Sequence, residues 1–147
     1  MVSSILLDAT RTAMPYLPEL YSDEEVLEWV TSSVLLNDDV RIADLDGQPA
    51  GFLALSEELL DHLYVHPDAQ HRGVGSTLLD HAKRLRPRGF SLWVFQRNTI
   101  ARRFYEARGV RLVRLSDGSG NEEREPDALY SWSPAGNENV SDRPRSA

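Results

Sequence analysis

Apolar and polar positions alternate along this chain with two different periods. From residue 3 to 36 the period is helical, with Ile5, Ala9, Thr12 and Ala13 on one amphipathic segment. Pro15 and Pro18 break that segment. Ser22 or Asp23 can cap a second helix, with Glu24 and Glu25 in its first turn and Val26, Leu27, Trp29 and Val30 as its apolar face. The period then shortens to two. Strands are predicted over residues 40–45, 50–55 and 59–65, the first two joined by Asp46-Gly47, a hairpin-turn signal. Residues 73–85 read as a helix with Val74, Leu78, Ala82 and Leu85 on its stripe, ended by Pro87 and Gly89. A strand over 90–95 follows, in which Phe90, Leu92 and Val94 alternate with Ser91, Trp93 and Phe95. Asn98 caps a helix that runs to Gly109, a C-terminal glycine stop, with Phe104 in the core. Strands over 110–115 and 128–132 flank a polar hairpin. The order αα-βββ-α-β-α-ββ predicts an α+β, or α/β layered, domain around one mixed central sheet flanked by helices. We expect this domain to span residues 1–132. Residues 133–147 shift to Ser, Pro, Asn and Asp and read as a disordered tail.

Composition narrows the functional classes. The 147 residues, 41% of them hydrophobic, suit one core. There is no cysteine, which excludes disulfides, thiolate metal sites and a Cys nucleophile, and fits a cytoplasmic protein. No apolar run is long enough for a membrane span, and the first eight residues lack the basic and apolar regions of a signal peptide. A net charge of −7 argues against a nucleic-acid partner and is compatible with a cationic acceptor. The four histidines, His62, His66, His71 and His81, do not form a metal set, and no GxSxG elbow is present.

The richest stretch is residues 63–76, LYVHPDAQHRGVGS. It reads as a strand, a Pro-led turn, a Gly-containing loop and the start of a helix. The first amides of a helix have no internal acceptor, and its dipole favours an anion there. Gly73 and Gly75 allow close backbone approach, and Arg72 adds a charged donor. These features imply a diphosphate clamp, hence a nucleotide-bearing cofactor. The P-loop GxxxxGK[ST] is absent, and Gly73-Val74-Gly75 is followed by Leu78 where the dinucleotide fingerprint needs Gly.

The remaining pattern, Gln70-x-x-Gly73-x-Gly75, resembles the acyl-CoA loop of the GNAT-type N-acyltransferase superfamily. A second signature supports that resemblance. Residues 98–110 match N-x-x-A-x-x-F-Y-x-x-x-G-[aliphatic], in the expected order and one strand later. The resemblance covers residues 13–132. It implies N-acyl transfer from acetyl-CoA or another acyl-CoA to an amine by direct attack. Backbone groups of Leu63 and Val65 would pair with the pantetheine arm. Gln70, His71, Arg72, Gly73, Val74, Gly75 and Ser76 would surround the diphosphate, and Asn98 would contact the pantetheine or serve as a pure N-cap.

Tyr105 is the candidate general acid, since a phenol with a pKa near ~10 is protonated at neutral pH and can donate to a leaving thiolate. Candidates for the base are Glu57, Glu58, Asp61 and His62, with Asp61 and His62 carried forward as site residues. Alternation puts His62, Tyr64 and His66 on one face of the strand, and Asp61, Leu63 and Val65 on the other. Trp93, Glu122 and Glu123 are candidate acceptor-binding residues. The acceptor expected first is a small-molecule amine, with amino acids, polyamines and protein N-termini left open. Two other readings stay open: a donor carried on an acyl carrier protein's phosphopantetheine, and a non-catalytic CoA-binding module. The family usually begins with a strand before its first helix. Here that strand is missing, shortened, or supplied by residues 1–7, and the uncovered sheet edge leaves a homodimer open.

Overall fold

The computed structural model describes residues 2–134, which form two compact units divided between Leu85 and Arg86. The tail expected over residues 133–147 lies, from residue 135 onward, outside the described residues.

The first unit opens with α1 (Val2–Ala13), α2 (Asp23–Trp29), a π-helical stretch (Val30–Val34) and the single turn α3 (Leu35–Asn37). Val2–Leu7 are helical, so they do not form the strand expected before the first helix. The buried stripe of α1 is Val2, Ile5 and Ala9. Thr12 and Ala13 are exposed, because the helix ends there and Met14 turns inward instead. Ser22 caps α2: its Oγ accepts from the Glu25 amide at 3.1 Å while Glu25 Oε1 accepts from the Ser22 amide at 2.9 Å. Leu27, expected on the apolar face, is exposed. The buried positions are Val30 and Val34, four apart in the wider π turn, which rotates the face away from Leu27.

Three antiparallel strands follow in spatial order: β1 (Asp39–Leu45), β2 (Gln48–Ser56) and β3 (Leu59–Val65). Asp46 and Gly47 join the first pair with φ of 54° and 79°, the geometry a two-residue hairpin demands. Glu57 and Glu58 make the next turn, so two of the four candidate bases are hairpin residues. Helices cover one face of this meander, where Val2, Ile5, Val30, Val34, Phe52 and Ala54 form a core. After β3, a 3-10 turn (Pro67–Ala69) leads to α4 (Val74–Leu85). This helix buries Val74, Leu78, Leu79 and Ala82, and it lies so close to β2 that a Cβ on Gly51 would meet Val74 Cγ1 at 3.2 Å and Leu78 Cδ1 at 3.1 Å.

The second unit contains β4 (Phe90–Phe95), α5 (Thr99–Glu106), β5 (Arg111–Ser116) and β6 (Asp127–Trp132). β6 lies between β4 and β5, antiparallel to both. Its core includes Leu92, Tyr105, Val110, Leu129 and Tyr130. Phe104, expected in the core, is only half-buried, and the Arg108 guanidinium stacks 4.0 Å above its ring. The rotation of α5 turns Tyr105 inward in its place.

Candidate active site

In the first unit the loop after β3 is built by local chemistry. Pro67 starts the 3-10 turn, and His66 Nδ1 accepts from the Asp68 amide at 3.1 Å. That bond leaves the proton of a neutral His66 ring on Nε2, which faces Asp8 Oδ2 of α1 at 3.2 Å. The base of the loop is thereby fastened to a helix 58 residues earlier in the chain.

His71 and Gly73 then take φ of 64° and 82°, two left-handed positions that swing the chain into α4. The Gly73 carbonyl accepts from Thr77, so the amides of Val74 and Gly75 precede the first helical hydrogen bond. A Cβ at Gly73 would meet nothing within 4 Å, so space is open beside this backbone. Gln70, His71 and Arg72 are exposed around it. Arg72 pairs with Asp46 of the β1–β2 turn at 3.3 Å, an exposed contact that an anion can displace. Open backbone, helix amides and a nearby guanidinium fit a diphosphate.

From His62 to Val65 the β3 residues separate as alternation requires. Val65 pairs with Gly51, whose α-carbon faces α4, so Leu63 and Val65 share that side. His62 lies on the opposite side among Trp29, Phe52 and Tyr64, with ring centroids at 5.4, 6.3 and 6.0 Å. Both its ring nitrogens are buried and meet no hydrogen-bond partner among the described residues. Burial lowers its pKa to about 4. The ring is therefore neutral at pH 7, but a weak base. Asp61 is half-buried and lies where the register shifts, Ala54 pairing with His62 and Leu55 with Leu60, so alternation does not fix its side.

In the second unit, Asn98 Oδ1 accepts from the Ala101 amide at 3.2 Å and starts α5. Tyr105 is buried, with its ring edge-on to Phe104 at 5.3 Å. Trp93 is half-buried and carries the Arg114 guanidinium 5.2 Å from its ring centroid. The polar hairpin is held at its base. Gln96 Nε2 donates to the carbonyls of Ser116 and Asp127, at 2.8 and 3.0 Å. Arg97 grips Glu125 with two bonds, at 2.7 and 3.0 Å, which holds that carboxyl below the usual range. Glu122, Glu123 and Asp127 lie together in this hairpin. Burial, then the charges of Glu122 and Asp127, push the Glu123 carboxyl up. Among the described residues no group of three His, Cys, Asp or Glu side chains could hold a metal ion, and no helix is long and apolar enough to cross a membrane.

Sequence reasoning missed the Asp8–His66 fastening, the Arg97–Glu125 grip and the closeness of Gly51 to α4. Each joins residues far apart in the chain, and no local spacing marks them. His66 alone carried a signal, as a polar residue set just before the Pro-led turn.

Comparison with known proteins agrees with these observations. Residues 36–111 match the model of the acetyltransferase (GNAT) domain. A Salmonella typhimurium protein named peptidyl-lysine N-acetyltransferase YjaB is 36% identical over 78 residues, 53% of this chain and 52% of the relative, so the match spans about half that relative's length. Peptidyl-lysine N-acetyltransferase YiaC of Escherichia coli is 27% identical over 133 residues, 89% of this chain and 88% of the relative. The solution structure of the apo form of Escherichia coli YjaB superposes with a TM-score of 0.72 at 26% identity, covering 88% of this chain and 87% of that one. The fold class is that of these proteins, α+β with a mixed sheet flanked by helices, as the sequence resemblance implied. The chain belongs to the GNAT acetyltransferase family.

Proposed function

We propose that this chain transfers an acetyl group from acetyl-CoA to the ε-amine of a lysine in a protein or peptide. The observation that carries the donor half is the loop of residues 70–75, where Gly73 at φ 82° leaves open backbone beside the first amides of α4. The names of the two curated relatives support the acceptor half and move the choice from a small-molecule amine to peptidyl lysine.

Acyl-CoA supplies an activated thioester; the chain's residues hold, orient and move protons. The amides of Val74 and Gly75, with Gln70, His71, Arg72 and the Ser76 side of the helix start, hold the diphosphate. The backbone of Leu63 and Val65 pairs with the amides of the pantetheine arm, and a backbone N–H there faces charge developing on the acyl oxygen. Asn98 commits its Oδ1 to the helix cap, so its contact with the arm falls to Nδ2.

A lysine amine has an unperturbed pKa near ~10.4, so a proton must leave before attack. We assign that step to Asp61, through water, because both His62 ring nitrogens are buried among Trp29, Phe52 and Tyr64, whereas Asp61 is only half-buried. Tyr105 donates its proton to the departing thiolate. Trp93, Glu122 and Glu123 receive the cationic acceptor.

The test is thiol release from acetyl-CoA across a lysine-peptide library, with mass spectrometry of the products and thermal unfolding with and without CoA. Acetylated lysine and an upward shift in the unfolding midpoint are expected. No shift at millimolar CoA overturns the donor assignment. Turnover only with acyl carrier protein would replace CoA as the donor, and turnover only with free amines would overturn the peptidyl acceptor.

A further inference from the structure

The chemistry above uses Tyr105, but not the polar groups that hold its helix. Tyr130 of β6 is fully buried, with 0% of its surface exposed. Its hydroxyl donates to Glu106 Oε2 at 2.5 Å and accepts from Arg102 Nε at 2.9 Å. Arg102 also donates through Nη1 to the Gln96 carbonyl at 3.3 Å. Arg102 and Glu106 lie four apart on α5, one on each side of Tyr105 in sequence. An Arg that precedes a Glu by four is in the weaker order for direct pairing, and here a phenol stands between the two.

The helix needs such a tie. It has eight residues, too few to be stable by its own hydrogen bonds. Asn98 fixes its start, and Tyr130 fixes its last turn. A rotation of about 10° around the axis would sweep a tyrosine oxygen by more than about 1 Å, given a Cα radius near ~2.3 Å plus the side chain. Displacement on that scale can cost a reaction on the order of 100-fold.

We propose that Tyr130 is a positioning residue for acetyl transfer, its hydroxyl setting the rotation of α5 and with it the aim of the Tyr105 hydroxyl. This rests on the reading of Tyr105 as proton donor. Tyr130→Phe keeps the buried ring and removes the oxygen. With acetyl-CoA and a lysine peptide acetylated by the wild type, kcat is expected to fall about 10- to 100-fold while KM for acetyl-CoA stays within about twofold. In a Tyr105→Phe background the same change should cost less than about threefold, because nothing remains to be aimed.

Glu106 is exposed, so Glu106→Ala tests the same tie without touching the core. It should show the same split, and Glu106→Gln, which keeps an acceptor oxygen, should recover most of kcat. Wild-type kcat in Tyr130→Phe or in Glu106→Ala overturns the proposal. An undiminished effect in the Tyr105→Phe background overturns it too. Wild-type kcat in Tyr105→Phe alone instead removes the proton-donor reading, and the positioning role with it.

Discussion

Acidification should expose the cost of burying His62. In the folded chain its ring sits among Trp29, Phe52 and Tyr64 with a pKa of about 4, against 6.5 for an unperturbed histidine. The unfolded chain therefore takes up this proton as the pH falls through 6.5, while the folded chain resists until about 4. Between those values the unfolded state binds more protons, so stability is lost as the pH falls and regained as it rises. At 1.36 kcal/mol per pKa unit, the histidine costs about 2 kcal/mol at pH 5 and about 3 kcal/mol at pH 4. Carboxylates titrate in the same range, so the contribution must be read as a difference. Urea unfolding of the wild type and His62→Phe, at half-unit steps from pH 7.5 to 4, isolates it. The variant should have a flatter acid limb, gaining about 2 kcal/mol on the wild type between pH 7 and 5. At pH 7 the exchange should be mild, since the lost nitrogens had no hydrogen-bond partner among the described residues and the site is aromatic. Parallel curves for the two proteins would refute the reasoning, because they would mean that the folded ring protonates as freely as the unfolded one.

Three further outcomes follow from particular contacts. Gly51→Ala should destabilise by about 1–3 kcal/mol in urea unfolding and weaken CoA binding, since its Cβ would meet the Tyr64 carbonyl oxygen at 2.7 Å and press on Val74 and Leu78 in the first turns of α4. Ser22→Ala should lose about 1 kcal/mol by removing one half of the capping box, and Ser22→Thr should keep most of it; equal midpoints for Ala and wild type would discount the box. Glu123→Gln should raise KM for a lysine peptide while leaving KM for acetyl-CoA unchanged; a change in the acetyl-CoA value alone would move the hairpin out of acceptor recognition.

Much of the fold was legible because strand and helix periods differ and because turn chemistry is local. Residues 59–65 and 90–95 read as strands with the boundaries that the structure has. Asp46-Gly47, Asn98 and Gly109 each marked a turn, a cap or a stop that their φ values and hydrogen bonds bear out. The early helices were less legible. A 3.6-residue period placed Leu27 inward, whereas the π-helical stretch after Trp29 widens the turn and buries Val30 and Val34 instead. Phe104 and Tyr105 show the same limit: adjacent aromatic residues on a short helix leave the buried one undecided, until a contact from another strand sets the rotation.

For the site, the glycine loop was legible because it is a local backbone feature, and its open side is a property of Gly73 itself. What holds it and what tunes it are not local. Asp8 reaches His66 across 58 residues, and Arg97 reaches Glu125 across 28. His62 was a reasonable base on sequence grounds, as a histidine at the start of the strand that leads to the loop. Its value as a base depends on Trp29 and Phe52, supplied by two other elements, and these make the surroundings too apolar for a charged ring. The strand's alternation holds from His62 to Val65, but the register shifts at Asp61, where Ala54 pairs with His62 and Leu55 with Leu60; the sequence also did not mark which face the helices would seal. Once α1, α2 and the π-helical stretch pack over Phe52 and Ala54, His62 is on the dry side. That leaves Asp61, half-buried in the strand that leads to the glycine loop, as the proposed base.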